Sequence, residues 1–233
     1  ASLVANHLNL ENIQKEVSFD DLENVYSTLT KVFDEPFNDH SFVPTYYVSK
    51  EAKQFNTVVI SGDGADELFG GYRKYPKIVK LEQWQSIFGV ALKGAKLLFS
   101  ILPDQSDIKR QLYRLGINGS ELFSDLMALV FKKRELISML GQELKSELAH
   151  YNPYHIIDEY LSEIPSDYSY LQKLRYLDLK LTLPDDMLVK VDRMSMVNSL
   201  EVRPLFLHPD IVEFALKLPD SLIATTNTSK VFL

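Results

Sequence analysis

At 233 residues with 45% hydrophobic side chains, the chain is long enough to bury a sizeable core, as one large domain or two intimate lobes. Its formal charge of −7 excludes the broad basic surface that grips a nucleic-acid backbone, so no nucleic acid is expected as partner, while a small nucleotide stays compatible. The absence of cysteine excludes a disulfide framework, a thiolate zinc site and a thiol nucleophile within these residues, and it fits a cytoplasmic location.

Ala1 to Leu10 carry the pattern of a helix ending in a turn, and Ala1-Ser-Leu-Val-Ala-Asn6 lacks the basic leader and apolar run of a signal peptide. Glu11 to Val17 predicts a strand. Ser18-Phe-Asp-Asp21 resembles a capping box opening a helix, with Leu22, Val25, Tyr26, Leu29 and Phe33 at helical spacing, and Asp34-Glu-Pro-Phe37 ends it. A further helix is predicted from Val43 to Phe55, with Pro44 in its first turn.

Val58, Val59 and Ile60 predict a buried strand that stops at Ser61. The turn that follows, Gly62-Asp-Gly-Ala-Asp-Glu67, then Leu68-Phe-Gly-Gly71, gathers four glycines and three carboxylates at the strand's carboxyl end, where open α/β sheets bind ligands. Glycines admit a phosphate close to backbone N–H groups, and carboxylates hold the magnesium that accompanies phosphate. A nucleotide site and a simple polar turn both fit this pattern. A calcium loop does not, because Leu68 and Phe69 interrupt the alternate oxygen ligands such a loop needs.

After Tyr75 strand signals nearly vanish. Helices are predicted over Lys77 to Ile101, Gly119 to Phe131, Glu135 to Ala149, Tyr154 to Glu163, Ser169 to Leu183, Pro184 to Ser199 and His208 to Lys217, punctuated by prolines. The most apolar stretch, Ile87 to Leu102, is too short for a membrane span and contains Lys93 and Lys96, so no membrane partner is expected. The scattered histidines, with His150 and His155 five apart, do not form a metal-binding face.

One helical stretch differs in character, Leu183-Pro-Asp-Asp-Met-Leu-Val-Lys-Val-Asp-Arg-Met-Ser-Met196, followed by Leu200-Glu-Val-Arg-Pro204. Pro184, Asp185 and Asp186 suit the start of a helix, where carboxylates meet the positive end of the macrodipole. Asp186 and Lys190 stand as an i,i+4 pair with Arg193 nearby, while Met187, Val191 and Met194 face a core.

Two separated blocks agree on one family. Ser61-Gly-Asp-Gly-Ala-Asp-Glu-Leu-Phe-Gly-Gly-Tyr72 resembles the signature of the synthetase domain of asparagine synthetases. Asp34-Glu-Pro-Phe37 with Pro44-Thr-Tyr46 is similar to the segment before it, and Leu183 to Arg203 resembles the family's later helix and Glu-Val-Arg turn. The resemblance implies an adenine-nucleotide α-hydrolase-like, Rossmann-like α/β lobe with a parallel sheet, here residues 1–75. A mostly α-helical lobe follows, residues 76–233.

It also implies a chemistry. ATP adenylates the side-chain carboxylate of aspartate, releasing pyrophosphate, and glutamine-derived ammonia then displaces AMP to form asparagine. By position, Ser61 and Gly62 resemble the residues that touch ATP or AMP, and Asp63 stands where many members carry a catalytic glutamate. Asp66 resembles the carboxylate for Mg2+ and pyrophosphate, which Glu67 supports unless it caps the next helix. Gly70 and Gly71 are assigned to backbone packing, and a homodimer is among the assemblies such a chain could form.

Several departures stand beside the match. No Ser-Gly-Gly-Leu-Asp-Ser phosphate loop occurs in the chain, and the family's catalytic lysine is expected downstream of Leu233. Lys230 resembles a lysine that starts a helix before that point, His208 replaces an aspartate, and the glutaminase domain with its cysteine nucleophile is not among these residues. The expectation is a synthetase-domain fragment that does not turn over alone. Relatives that amidate sugars, peptides or lactam precursors leave the acceptor open, and a non-catalytic helical scaffold is the contrasting expectation.

Overall fold

The computed structural model describes residues 2–88, 113–117, 119–127, 137–148, 151–152 and 154–233. In chain order its helices are α1 (Ser2–Leu8), α2 (Phe19–Val32), α3 (Phe42–Lys53), α4 (Ala65–Phe69), α5 (Lys74–Phe88), α6 (Gly119–Met127), α7 (Gln142–Glu147), α8 (His155–Ser162) and α9 (Tyr170–Leu177). A π-helical run over Asp178–Leu188 is followed by α10 (Val189–Met196), α11 (Pro209–Lys217) and α12 (Asp220–Ile223). The strands are β1 (Val58–Ser61) and β2 (Glu201–Pro204), giving a mixed α/β chain with a small parallel sheet. Two compact units form, Ala1–Asp63 with Thr182–His208, and Gly64–Leu181 with Pro209–Leu233.

In the first unit, β1 pairs in parallel with β2, Val58 opposite Glu201 and Ser61 opposite Pro204. Pro204 closes the strand at its last position, where its missing N–H costs the ladder least. The Glu-Val-Arg segment is therefore a strand rather than the expected turn. It was hard to read as one because only Val202 is a strong β-former and four residues give little periodicity. Nor is β1 buried as expected: Val58 is 39% and Ile60 71% exposed, since a two-stranded sheet leaves one face of this strand uncovered.

Glu11 to Val17 forms no strand. All seven residues are exposed and irregular, and the only apolar members, Ile13 and Val17, are too few to pay for a sheet face. Helix α3 begins one residue before the predicted helix and ends two before its end, with Pro44 in the first turn. Helix α2 begins directly after Ser18, but the side chains at 19–22 lie outside the described ones, as does any box they form. Val25, Phe42, Val43, Tyr47 and Met194 make the core, with Phe33 and Phe37 stacked 4.5 Å apart beside it.

In the second unit Tyr75, Ile78, Leu122, Phe123, Leu171, Leu174, Leu177 and Ile223 are essentially inaccessible to solvent. Each buried leucine there contributes roughly 1.5–3 kcal/mol. Helix α9 starts in a full capping box: Ser169 Oγ accepts from Gln172 N–H at 3.1 Å and Gln172 Oε1 from Ser169 N–H at 2.9 Å. Arg175 on the same helix, 2% exposed, donates to the carbonyls of Leu68 at 2.5 Å and Ala215 at 3.1 Å, tying α9 to the ends of α4 and α11.

The predicted Lys77–Ile101 helix starts earlier, at Lys74, and its residues beyond Phe88 lie outside the described ones, as do those of the predicted Gly119–Phe131 helix beyond Met127. Glu135 to Ala149 is not one helix. The helical path breaks at Leu140 and Gly141, whose extended ψ of 164° precedes α7. Pro184 starts no helix either. It sits within the π-helical run, whose wide turns accept a residue that lacks an N–H donor, and Asp185 and Asp186 therefore lie inside a helix rather than at its positive end.

Candidate active site

The carboxylate turn opens in the first unit, at the carboxyl end of β1. Pairing with β2 fixes the backbone of Ser61. Its Oγ is shielded from solvent and has no hydrogen-bond partner among the described residues, an orphan that ordinarily costs about 1–3 kcal/mol. Gly62 follows, exposed, and a Cβ built on it would meet nothing within 4 Å. Asp63 is half-buried. A hydroxyl awaiting a partner and a bare backbone position thus stand in succession at a parallel strand's end.

The same unit holds a second polar group that joins distant blocks of sequence. Lys190, 7% exposed, places Nζ 2.5 Å from Asp39 Oδ2 and 2.7 Å from Ser41 Oγ. The predicted Asp186–Lys190 pair is thus replaced: the lysine reaches across to the residues that open α3. Asp186 is left half-buried, and burial, reinforced by Asp39 and opposed by Lys190, lifts its carboxyl above the ordinary aspartate value. Arg193 donates to the Val32 carbonyl at 2.7 Å and to Asp34 at 3.0 Å, anchoring the end of α2.

The turn continues in the second unit with Gly64, whose φ of 87° lies in the left-handed region that glycine enters without strain. Helix α4 then presents Asp66 and Glu67 in opposite surroundings. Asp66 is about two-fifths exposed, and its Oδ1 lies 2.5 Å from Lys230 Nζ. Glu67 is 1% exposed and accepts from the Tyr72 hydroxyl at 2.6 Å, so it occupies the third helical position and does not serve as the N-cap. Burial pushes the Glu67 carboxyl up, the Tyr72 hydrogen bond opposes this, and the charges of Asp178 and Asp66 add to it.

Asp178, fully buried, lies in the same unit and takes Lys74 Nζ at 2.5 Å and the Tyr75 hydroxyl at 2.7 Å. Burial and the facing carboxylate hold both Tyr72 and Tyr75 well above the ordinary phenol range, so both act as hydrogen-bond donors.

The two glycines assigned to packing have distinct jobs. Gly70, with φ 77°, approaches Ile223 so closely that a Cβ would stand 2.8 Å from its backbone oxygen. At Gly71 a Cβ would collide with the Asp66 carboxylate and the Lys230 side chain. The absent side chain leaves space that the ion pair occupies. Lys230 itself starts no helix. It has φ 52° in irregular backbone, following a hairpin-like segment in which Thr225 N–H bonds Thr228 O at 2.8 Å. Nothing in the spacing of a lone lysine near the end of the sequence marks it as a partner of Asp66. His208 ends the short 3-10 turn Leu205–Leu207 and precedes α11.

Among the described residues no three His, Asp or Glu side chains converge as a metal cage. Magnesium held mainly by phosphates needs only one or two carboxylates, and the accessible Asp66 fits that demand while the enclosed Glu67 lies beneath it. For a nucleotide, the orphaned Ser61 hydroxyl and the open backbone at Gly62 fit equally. No described helix is long and apolar enough to cross a membrane.

A short parallel sheet whose first strand runs into a glycine and carboxylate turn, with helices making up most of the rest of the described residues, defines a mixed α/β protein. The chain belongs to the asparagine synthase family, whose model matches residues 1–233. It is 34% identical over 232 residues to asparagine synthetase (glutamine-hydrolyzing) 1 of Bacillus subtilis, covering 97% of this chain and 35% of that protein. A Mycobacterium bovis protein provisionally given the same enzyme name is 28% identical over 232 residues, covering 98% of this chain and 34% of that one. A Methanocaldococcus jannaschii protein, provisionally asparagine synthetase (glutamine-hydrolyzing) 2, is 34% identical over 192 residues, covering 79% and 34% respectively. The chain thus spans about a third of the length of these relatives. No solved structure matches it.

Proposed function

We propose that the chain is the amide-forming part of an ATP-dependent ligase. In this reading the side-chain carboxylate of aspartate attacks the α-phosphorus of ATP, pyrophosphate leaves, and ammonia from glutamine attacks the resulting acyl adenylate, releasing AMP and asparagine. Family membership supports the reaction class. The observation that carries the site assignment is the Ser61 hydroxyl, buried without a partner at the end of β1.

In the proposal Ser61 satisfies its hydroxyl on the AMP portion, and Gly62 lets the nucleotide approach the backbone where any side chain would intrude. Asp63 is the carboxylate beside the reacting carbonyl, one methylene shorter than a glutamate and so positioned by the backbone more than by reach. Asp66 is the carboxylate for Mg2+ and pyrophosphate, and Glu67 supports it from beneath through the Tyr72 bond. Magnesium, when bound, neutralises charge on the departing pyrophosphate. Residues 1–233 contain no Ser-Gly-Gly-Leu-Asp-Ser segment, so turnover is assigned to the complete protein rather than to this stretch alone.

The test is incubation of the complete protein with ATP, Mg2+, glutamine and aspartate, followed by mass spectrometry and pyrophosphate detection. Asparagine, AMP and pyrophosphate in equal amounts are expected. Pyrophosphate formed only with a sugar, peptide or lactam-precursor carboxylate would move the acceptor assignment, and ADP in place of AMP would overturn adenylation.

A further inference from the structure

Helix α8 and the junction of α9 with the π-helical run bring four side chains together in the second unit. Tyr160 and Glu163 stand three residues apart at the end of α8, and Tyr176 and Lys180 four apart across the end of α9. At those spacings each pair shares a helix face. Lys180 Nζ lies over both rings, 5.7 Å from the Tyr160 centroid and 5.6 Å from that of Tyr176. The Tyr176 hydroxyl donates to Glu163 Oε2, the same oxygen that faces Lys180 at 3.9 Å. Tyr160 packs against the apolar core and Tyr176 is pinned by its bond to Glu163, so both rings keep their places. Burial and the Glu163 carboxylate push the Tyr176 phenol up to about 12, so that bond keeps its proton near neutral pH.

The lysine ammonium fills this enclosure loosely. An ammonium ordinarily closes on a carboxylate to about 2.7–2.9 Å, yet here the gap is 3.9 Å, and both ring distances fall near the outer limit of about 6 Å at which a π face holds a cation. A larger cation would meet all three walls. Methyl groups on the nitrogen carry its charge out to each ring and ask no hydrogen bond of the carboxylate. We propose that Tyr160, Tyr176 and Glu163 form an aromatic cage for a quaternary ammonium group, occupied by Lys180 while no ligand is present. Two π faces and a carboxylate are the elements that recognise a methylated cation. Lys180 is 46% exposed, so it can swing into solvent when displaced, and its long, solvent-screened ion pair costs little to break. The reaction proposed above makes no use of these side chains.

The test is titration of the full chain with choline chloride and with tetramethylammonium chloride, followed by ligand-observed nuclear magnetic resonance. The control is the uncharged alcohol in which carbon replaces the choline nitrogen. Both cations should bind, and the alcohol should bind about tenfold more weakly, because it has the shape without the charge. K180Q, which removes the resident cation, should bind choline about two- to fivefold tighter than wild type. Y176L should bind about fivefold or more weakly, while Y176F, which keeps the ring, retains most of the affinity. Tyr160 packs on the core, so Y176L and K180Q carry the test if Y160L does not fold. Equal binding of choline and the alcohol would overturn the cage, as would a K180Q affinity equal to that of wild type. Absence of choline binding in both wild type and K180Q would overturn it as well.

Discussion

Lys190 Nζ lies 2.5 Å from Asp39 Oδ2, joining the helix after the π-helical run to the start of α3. Burial alone raises the Asp39 carboxyl, but hydrogen bonds from Lys190 and from Ser41 outweigh it and hold the group below the ordinary aspartate value. A carboxyl depressed in the folded state contributes stability that is fully present above its unfolded value, about 3.9, and is lost as pH falls through the lower folded one. Urea midpoints measured from pH 7 downwards should therefore fall below about pH 4 for wild type. D39A, which strands a buried ammonium, should cost about 3 kcal/mol at pH 7 and lose this acid-side dependence.

Glu67 has the opposite sign. Its carboxyl is raised by burial, against the Tyr72 hydrogen bond and with the help of Asp178 and Asp66. Its contribution is greatest below the ordinary glutamate value and declines as pH rises through the raised one. E67Q keeps an oxygen that accepts from Tyr72 and removes the charge, so its stability relative to wild type should climb as pH rises above the ordinary glutamate value of about 4.3. Thermal midpoints over that range would check it. A constant difference between the two proteins would show that Glu67 does not titrate there.

These contrasts mark where the sequence was legible. β1 and the carboxylate turn could be read because a β-branched run meets glycines at one place, and α3 because Pro44 stands where a first turn tolerates it. The enclosure of Glu67 and the accessibility of Asp66 could not be read, since adjacent carboxylates on a short helix look alike until one is enclosed by Tyr72 and the other opens to Lys230. β2 escaped because parallel pairing links residues that nothing local connects. Pro184 misled because a proline ordinarily marks an α-helical boundary, whereas here it lies inside a π-helical run, a form too rare to be read from local sequence. Lys190 was assigned a partner one turn away, whereas tertiary packing supplied Asp39.

Gly62 and Gly71 differ in what a methyl group there would meet. A methyl group at Gly62 meets no protein atom, so G62A should melt within about 2 °C of wild type while losing about tenfold or more in ATP affinity. A methyl group at Gly71 meets only the flexible ends of Asp66 and Lys230, so G71A should displace the ion pair at a cost of less than about 1 kcal/mol. Melting curves with ATP titration distinguish the two. Unimpaired ATP binding by G62A would remove the close-approach role assigned to that backbone.

Asp66→Asn tests the chemistry with the least disturbance of the fold. The carboxylate is about two-fifths exposed and its ion pair with Lys230 is solvent-accessible, so the substitution should change stability by less than about 1 kcal/mol. The amide keeps the shape and loses the charge that, in the proposed reaction, faces the metal and pyrophosphate. In the complete protein pyrophosphate formation should drop by roughly a hundredfold or more, with the deficit in kcat rather than in the KM for aspartate, because charge builds on the leaving group as the bond breaks. Raised Mg2+ should recover only part of it. Full activity at parental Mg2+ would place the metal on another residue.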